Sequence, residues 1–179
     1  METEANTPYD VTPRSAGIRF GLIGAVLSIV YFLILSVAGL AGSRGVWSWI
    51  GYVITAAVIF FAHKYYKENA DGFMSYSQGI GIAVWIGIVS SVISSIFMYI
   101  YVKFVDTTFV ETIKQTQLDA MHEKGMSDQQ IDQAMKFASM FMTPEAIFLF
   151  GLIGGIIATI IIVLIVTIFT QKKNPQPAF

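Results

Sequence analysis

The 179-residue sequence contains no cysteine and only two histidines. The missing cysteine excludes a disulfide framework, a thiolate metal centre and a thiol nucleophile. Charge is scarce as well. Asp, Glu, Lys and Arg make up 13% of the residues, about half the usual share of roughly 25%. Net charge is −1, so there is no basic excess of the kind that neutralises nucleic-acid phosphates, and no nucleic-acid partner is expected. Enzyme signatures are also absent: no His-Glu-x-x-His, no Gly-x-Ser-x-Gly and no phosphate-binding loop occurs. No catalytic, cofactor-binding or metal-binding residue is assigned on this reading, and an enzyme is not expected.

Apolar sequence fills the space. Hydrophobic residues are 55% of the chain and mean hydropathy is +0.64. Four long apolar runs, at 18–40, 46–62, 79–102 and 146–170, carry no charge near their centres. A helix needs roughly 20 apolar residues, within a range of about 17–25, to cross a bilayer core. The runs therefore predict an all-α integral membrane protein, a four-helix bundle forming one domain over 17–171. Lipid is its first partner. Residues 1–16 and 172–179 read as short tails, the first of them disordered and acidic (Glu2, Glu4, Asp10), which is the wrong charge for a cleavable signal. Intramembrane charges normally mark proton relays and ion-coupled transport, and their lack argues against a secondary transporter.

Between the third and fourth runs lies the one substantial polar segment, about 105–142. Phe109, Val110, Ile113, Leu118 and Met121 recur at helical spacing, Gly125 stops that helix, and a second starts at once. Ser127 and Gln130 form a capping box there, with Met126 and Ile131 as the hydrophobic staple across it. Ile131, Met135, Ala138 and Met142 share one face of the second helix. The segment thus predicts an extramembrane amphipathic helical hairpin. Thr143 then caps the last run, with Pro144 at its first helical position. Ser75 and Gln78 make a similar capping box before the third run.

Small residues are patterned within the runs. Gly79, Ala83, Gly87, Ser91 and Ser95 fall at four-residue spacing in the third, Gly17, Gly21 and Ala25 in the first, and Gly151, Gly155 and Thr159 in the last. Such stripes let helix backbones approach closely in lipid, where hydrophobicity drives no association between helices. The third-run stripe is the leading packing surface, against another span or a second copy of the chain. Its serines, with Ser90 and Ser94, could instead line a path for a small neutral solute. His63, beside Lys64 at a run end, reads as an interfacial side chain without a partner. His122 lies among Met121, Met126, Met135, Met140 and Met142. These are donor types that soft metals favour, but the helical periodicity explains the methionines as flexible core filler.

Basic residues set the orientation. Arg14, Arg19, Lys64, Lys67, Lys172 and Lys173 mostly abut span ends on one side, whereas Arg44, Lys103, Lys114, Lys124 and Lys136 are spread over a longer, acid-rich stretch. Basic residues near span ends stay in the cytoplasm, so both termini are expected inside and residues 105–143 in the periplasm. The function that fits is an accessory or scaffold protein acting through helix packing and contact with a membrane-protein partner or a homo-oligomer. The alternative is a small oligomeric channel or transporter.

The turn Asn69-Ala70-Asp71-Gly72-Phe73-Met74-Ser75-Tyr76, the exit Tyr99-Ile100-Tyr101-Val102-Lys103-Phe104-Val105-Asp106 and the restart Lys124-Gly125-Met126-Ser127 resemble a bacterial inner-membrane family common among Bacteroidetes, the domain of unknown function four-one-nine-nine. The resemblance spans about 15–170. It implies four helices with a long loop before the last, and no activity. Family members often carry a basic residue just after the third span begins. This chain has Gly79-Ile80-Gly81-Ile82 there, so the resemblance carries no headgroup-binding role to that position.

Overall fold

The computed structural model describes residues 11–41, 45–173 and 175. It is all-helical, with α1 (Pro13–Val37), α2 (Val46–Asn69), α3 (Tyr76–Ile100), α4 (Phe109–Glu123), α5 (Asp128–Ser139) and α6 (Pro144–Thr170). One turn of π-helix, Tyr101–Val105, continues α3. No strand occurs among the described residues, only an isolated antiparallel bridge between Met74 and Lys172. Most of the expected tails lie outside the described residues (1–10, 174 and 176–179), as does the turn at Ser43 and Arg44.

Local chemistry sets the helix ends. Thr12 and Ser15 form a capping box in which Ser15 N–H donates to Thr12 Oγ1 (3.1 Å) and Thr12 N–H to Ser15 Oγ (3.0 Å). With Pro13 at the first position, α1 starts before the boundary at 17 that hydropathy alone suggests. Ser75 and Gln78 exchange the same pair of bonds at the start of α3. Thr143 Oγ1 accepts from Ala146 N–H (3.1 Å) ahead of α6. The second helix runs past its apolar stretch to Asn69, because Lys64 and Glu68 face outward and pair (3.8 Å).

The long helices α1, α2, α3 and α6 pack side by side with α3 in the middle. Gly17 lies against Ile82 and Trp85, Gly21 against Ile86 and Val89, and Gly24 approaches Ser90. These pairs advance together, so α1 runs parallel to α3. Partners on α6 descend as α3 ascends, so those two are antiparallel. The main core, near the α1 N-terminus, contains Val58, Ile59, Ala62, Ile82, Ala83, Ile86 and Val163. We call this end the base. Helix α2 contributes its C-terminal half there, whereas Val46, Trp49, Tyr52 and Val53 are exposed.

The polarity is inverted relative to a water-soluble bundle. Leu22, Val26, Val30 and Ile34 of α1 face outward, as do Ile153, Ile157, Ile161, Ile165 and Ile168 of α6. Ser91, Ser95, Thr159, Thr167, Thr170 and His63 are inside. Three helical stretches, Pro13–Val37, Tyr76–Val105 and Pro144–Thr170, are long and apolar enough to cross a membrane. Their outward surfaces match lipid, and Ser91, Ser95, Thr159, Thr167 and Thr170 turn away from it.

At the other end Phe32 is ringed edge-to-face by Tyr101 (5.0 Å), Phe109 (5.7 Å) and Phe97 (6.0 Å). The Tyr101 hydroxyl reaches Ser36 Oγ at 2.5 Å. The π turn closes with Asp106 N–H donating to Tyr101 O (2.8 Å), and Asp106 Oδ1 then takes the Thr108 N–H (3.1 Å) and hydroxyl (2.8 Å) ahead of α4. Helix α4 ends in a Schellman arrangement. Gly125, at φ 69°, donates to His122 O (2.9 Å), and Met126 donates to Met121 O (3.2 Å). Only Phe109 in α4 and Ile131 in α5 are buried, so this helix pair is thinly packed.

The α1–α3 contact gives a paired test. A Cβ at Gly17 would lie 2.6 Å from Ile82 O, a backbone atom that cannot rotate away, whereas a Cβ at Gly154 meets nothing within 4 Å. Gly17→Ala is expected to destabilise the protein by about 1–3 kcal/mol through overpacking. Gly154→Ala should be neutral, or stabilising by up to about 1 kcal/mol from helix propensity. Thermal unfolding in detergent checks both, and equal midpoints for the two variants would contradict the close approach.

Candidate functional site

The α3 stripe meets α6 of the same chain. A Cβ on Gly79 would lie 2.6 Å from Thr167 Cγ2, and one on Gly87 would lie 3.1 Å from Thr159 Cβ. Ser91 presses on Gly155, and Ser95 Oγ would lie 3.3 Å from a Cβ on Gly151. Ala83 is fully buried in the same core as Val163. Each step of one turn on α3 therefore meets one turn on α6, and small residues alternate sides. At the base α3 supplies the glycine and α6 the threonine. Further up, α3 supplies the serine and α6 the glycine.

Above the base the helices do not close completely. A cavity of about 250 Å³ is lined by Ser28 of α1, Tyr52 and Thr55 of α2, Ser90, Ser91 and Ser94 of α3, and Thr159 of α6. It adjoins a second, of about 240 Å³, that shares Ser28, Ser94 and Gly151 and reaches Ser95 beneath Phe32 and Phe97. Three of the hydroxyls are satisfied along their own helices: Ser90 donates to Ile86 O (2.6 Å), Thr55 to Gly51 O (3.0 Å) and Thr159 to Gly155 O (2.8 Å). Ser28, Ser91, Ser94 and Ser95 make no hydrogen bond among the described residues. No charged side chain lines either cavity.

A polar node locks the base. His63 is fully buried, with Nδ1 2.7 Å from Thr170 Oγ1 and Nε2 3.0 Å from Gly79 O. A carbonyl only accepts, so Nε2 carries a proton and donates to Gly79 O. In the neutral ring Nδ1 accepts from the Thr170 hydroxyl, which also lies 3.0 Å from Val166 O. Lys67 Nζ donates to Thr170 O at 2.8 Å, placing a cation on the last carbonyls of α6, where the helix dipole favours it. One histidine thus joins α2, α3 and α6. The sequence reading of His63 as a partnerless interfacial residue is corrected here. The signal lay in its spacing: His63 follows Ile59 by one turn and precedes Tyr66, on the face that α2 buries.

The family model described as a protein of unknown function, DUF4199, matches residues 19–172. The chain belongs to the DUF4199 family. No curated protein and no solved structure matches it. The DUF4199 match takes in every residue of the cavities, the His63 node and the α4–α5 turn. At that turn the Gln130 side chain accepts from Ser127 N–H (3.0 Å) and from the Ser127 hydroxyl (3.2 Å). Met126 is half-buried and Ile131 buried. His122 is exposed in the last turn of α4.

His63→Leu tests the node. The substitution keeps similar bulk and removes both inter-helix hydrogen bonds, while the Thr170 hydroxyl, released from Nδ1, turns to Val166 O. A loss of about 1–3 kcal/mol is expected, from about 0.5–1.5 kcal/mol for each of the two hydrogen bonds removed. It is read as a lower unfolding midpoint in detergent. An unchanged midpoint would mean the histidine does not hold the base together.

Proposed function

We propose that this DUF4199 protein is a four-span integral protein of the bacterial inner membrane, non-catalytic, serving as an accessory or scaffold subunit. The observation that carries the reading is the exposed apolar surface of the α4–α5 pair. Phe137, Met140 and Phe141 all stand exposed there, with the Phe141 ring against Phe137 (5.1 Å) and Phe150 (5.0 Å). A cavity of about 400 Å³ lined by Val110, Ile113, Phe137, Phe141 and Ile147 runs between α4, α5 and the start of α6. Exposed apolar patches of this kind mark contact sites for proteins or membrane surface. The third-span stripe is occupied by α6 of the same chain, which leaves the hairpin as the surface for an outside partner.

In this reading α2 is the fourth span, both termini lie in the cytoplasm and residues 105–143 form a periplasmic hairpin. Supporting the orientation, Arg19, Lys67 and Lys172 lie at one end of the helices. Arg19 stacks on Tyr65 (4.6 Å) and Lys172 on Phe73 (5.2 Å), anchors suited to an interface. The channel reading draws on the serine-lined cavity, but fully buried Ile59, Ile82, Ala83 and Val163 fill the base beneath it. Conduction through a single copy is therefore disfavoured.

Two measurements test these points. The chain has no cysteine, so single substitutions Asp71→Cys and Ser127→Cys report location cleanly. An impermeant maleimide is expected to label Ser127→Cys in spheroplasts and Asp71→Cys only after lysis, and the reverse pattern would refute the topology. For the contact role, a photo-crosslinking residue at Phe137 in native membranes should give a discrete protein adduct that is lost on Phe141→Asp. Adducts with lipid alone would count against a scaffold.

A further inference from the structure

We propose that the serine-lined hollow between α1, α2, α3 and α6 binds the hydroxyl end of an uncharged lipid, of the glyceride or long-chain alcohol class. Four hydroxyls of its lining, on Ser28, Ser91, Ser94 and Ser95, have no hydrogen-bond partner among the described residues. Ser91 and Ser95 are only 7% and 4% exposed, so what surface they keep is turned to the hollow. A serine in a membrane helix commonly satisfies itself on the carbonyl one turn back, as Ser90 does here. These four do not, and each offers one donor and two acceptor sites to an occupant.

The chemistry of the lining selects the occupant. There is no cation to hold a phosphate or carboxylate and no anion to hold an amine, so the polar group must be neutral. The two adjoining cavities together fall within the usual range of small-molecule sites, about 300–1,000 Å³. The way in is lateral. Below, the hollow ends on Val58 and Ile86, and above it ends on Phe32, Phe97 and Met98. At its rim Ser28, Tyr52 and Gly151 are exposed, and the residues around them, Leu27, Val53, Leu149 and Ile153, are exposed and apolar. A largely apolar hollow dotted with serine hydroxyls, whose surroundings are built for lipid, is reached by a molecule already in the bilayer. An amphiphile with a small hydroxylated head meets that geometry. A free polyol would have to cross the apolar rim first.

Native mass spectrometry of the full chain in detergent tests this, titrated with 1-monooleoylglycerol, with methyl oleate (the same acyl chain without hydroxyls) and with glycerol. A one-to-one adduct with monooleoylglycerol is expected, at least tenfold tighter than with methyl oleate. The double variant Ser91→Ala/Ser94→Ala should weaken it at least tenfold. Gly51 lines the hollow and a Cβ there meets nothing within 4 Å. Gly51→Leu should therefore fill the space and abolish the adduct, with an unchanged or higher unfolding midpoint to show that the fold persists. Equal affinity for monooleoylglycerol and methyl oleate would overturn the proposal, leaving only adhesion of the acyl chain. So would glycerol binding as tightly as the lipid, or full binding by a folded Gly51→Leu.

Discussion

The structure depends on how closely α3 approaches two neighbours at once. Inside a bilayer there is no hydrophobic gain from joining apolar helices, so association rests on dispersion contacts and on hydrogen bonds that lipid cannot supply. Dispersion falls away within fractions of an ångström, which makes backbone proximity the decisive quantity. Helix α3 obtains it on one side through Gly17 and Gly21 of α1, and on the other through its own Gly79 and Gly87 and through Gly151 and Gly155 of α6. Because both flanks are close, α3 has little lipid-facing surface beyond Val92, Ile96 and Ile100. It behaves as a core element although its sequence is that of a membrane span.

The same stripe produces the hollow. Where α3 carries glycine or alanine, near the base, α6 answers with threonine or valine and the space is filled. Where α3 carries Ser91 and Ser95, α6 answers with glycine, and Ser90 and Ser94 open a second hydroxyl row toward α1 and α2. Helix α2 commits its apolar face to the base through Val58, Ile59 and Ala62. Its upper half borders those serines with Gly51, Tyr52 and Thr55 and leaves the space between them open. A well-packed base and a serine-lined space above it follow from one pattern of side-chain size along α3 and α6.

Most element ends were legible in the sequence because caps are local. Ser75 with Gln78, and Thr143 with Pro144, act within four residues, and the apolar runs marked the long helices. The π turn after Ile100 was not legible. It leaves no compositional trace, and its stability comes from Tyr101 packing on Phe32 and Phe109 across the fold. His63 was misread for a related reason. Its partners Thr170 and Gly79 lie 107 and 16 residues away, and nothing adjacent to it announces a node. The small-residue stripes could be seen as packing surfaces, but which helix each would meet required the register of α6. The hollow was anticipated only as a row of serines, since a space between helices belongs to no single segment.

At the base, Met74 and Lys172 exchange two backbone hydrogen bonds, 2.8 and 2.9 Å long. This short clasp joins the entry to α3 with the exit from α6 and closes a loop of roughly a hundred residues, the kind of closure whose entropic cost rises only slowly with length. It fixes the two helices lengthwise, so that neither can slide past the other without breaking the clasp. The freedom left to them is to splay from the far end, like tongs joined at the handle. Amides near Met74 and Lys172 should accordingly exchange with solvent more slowly than those around Gly125, and any widening of the serine-lined space would begin at the end that carries α4 and α5.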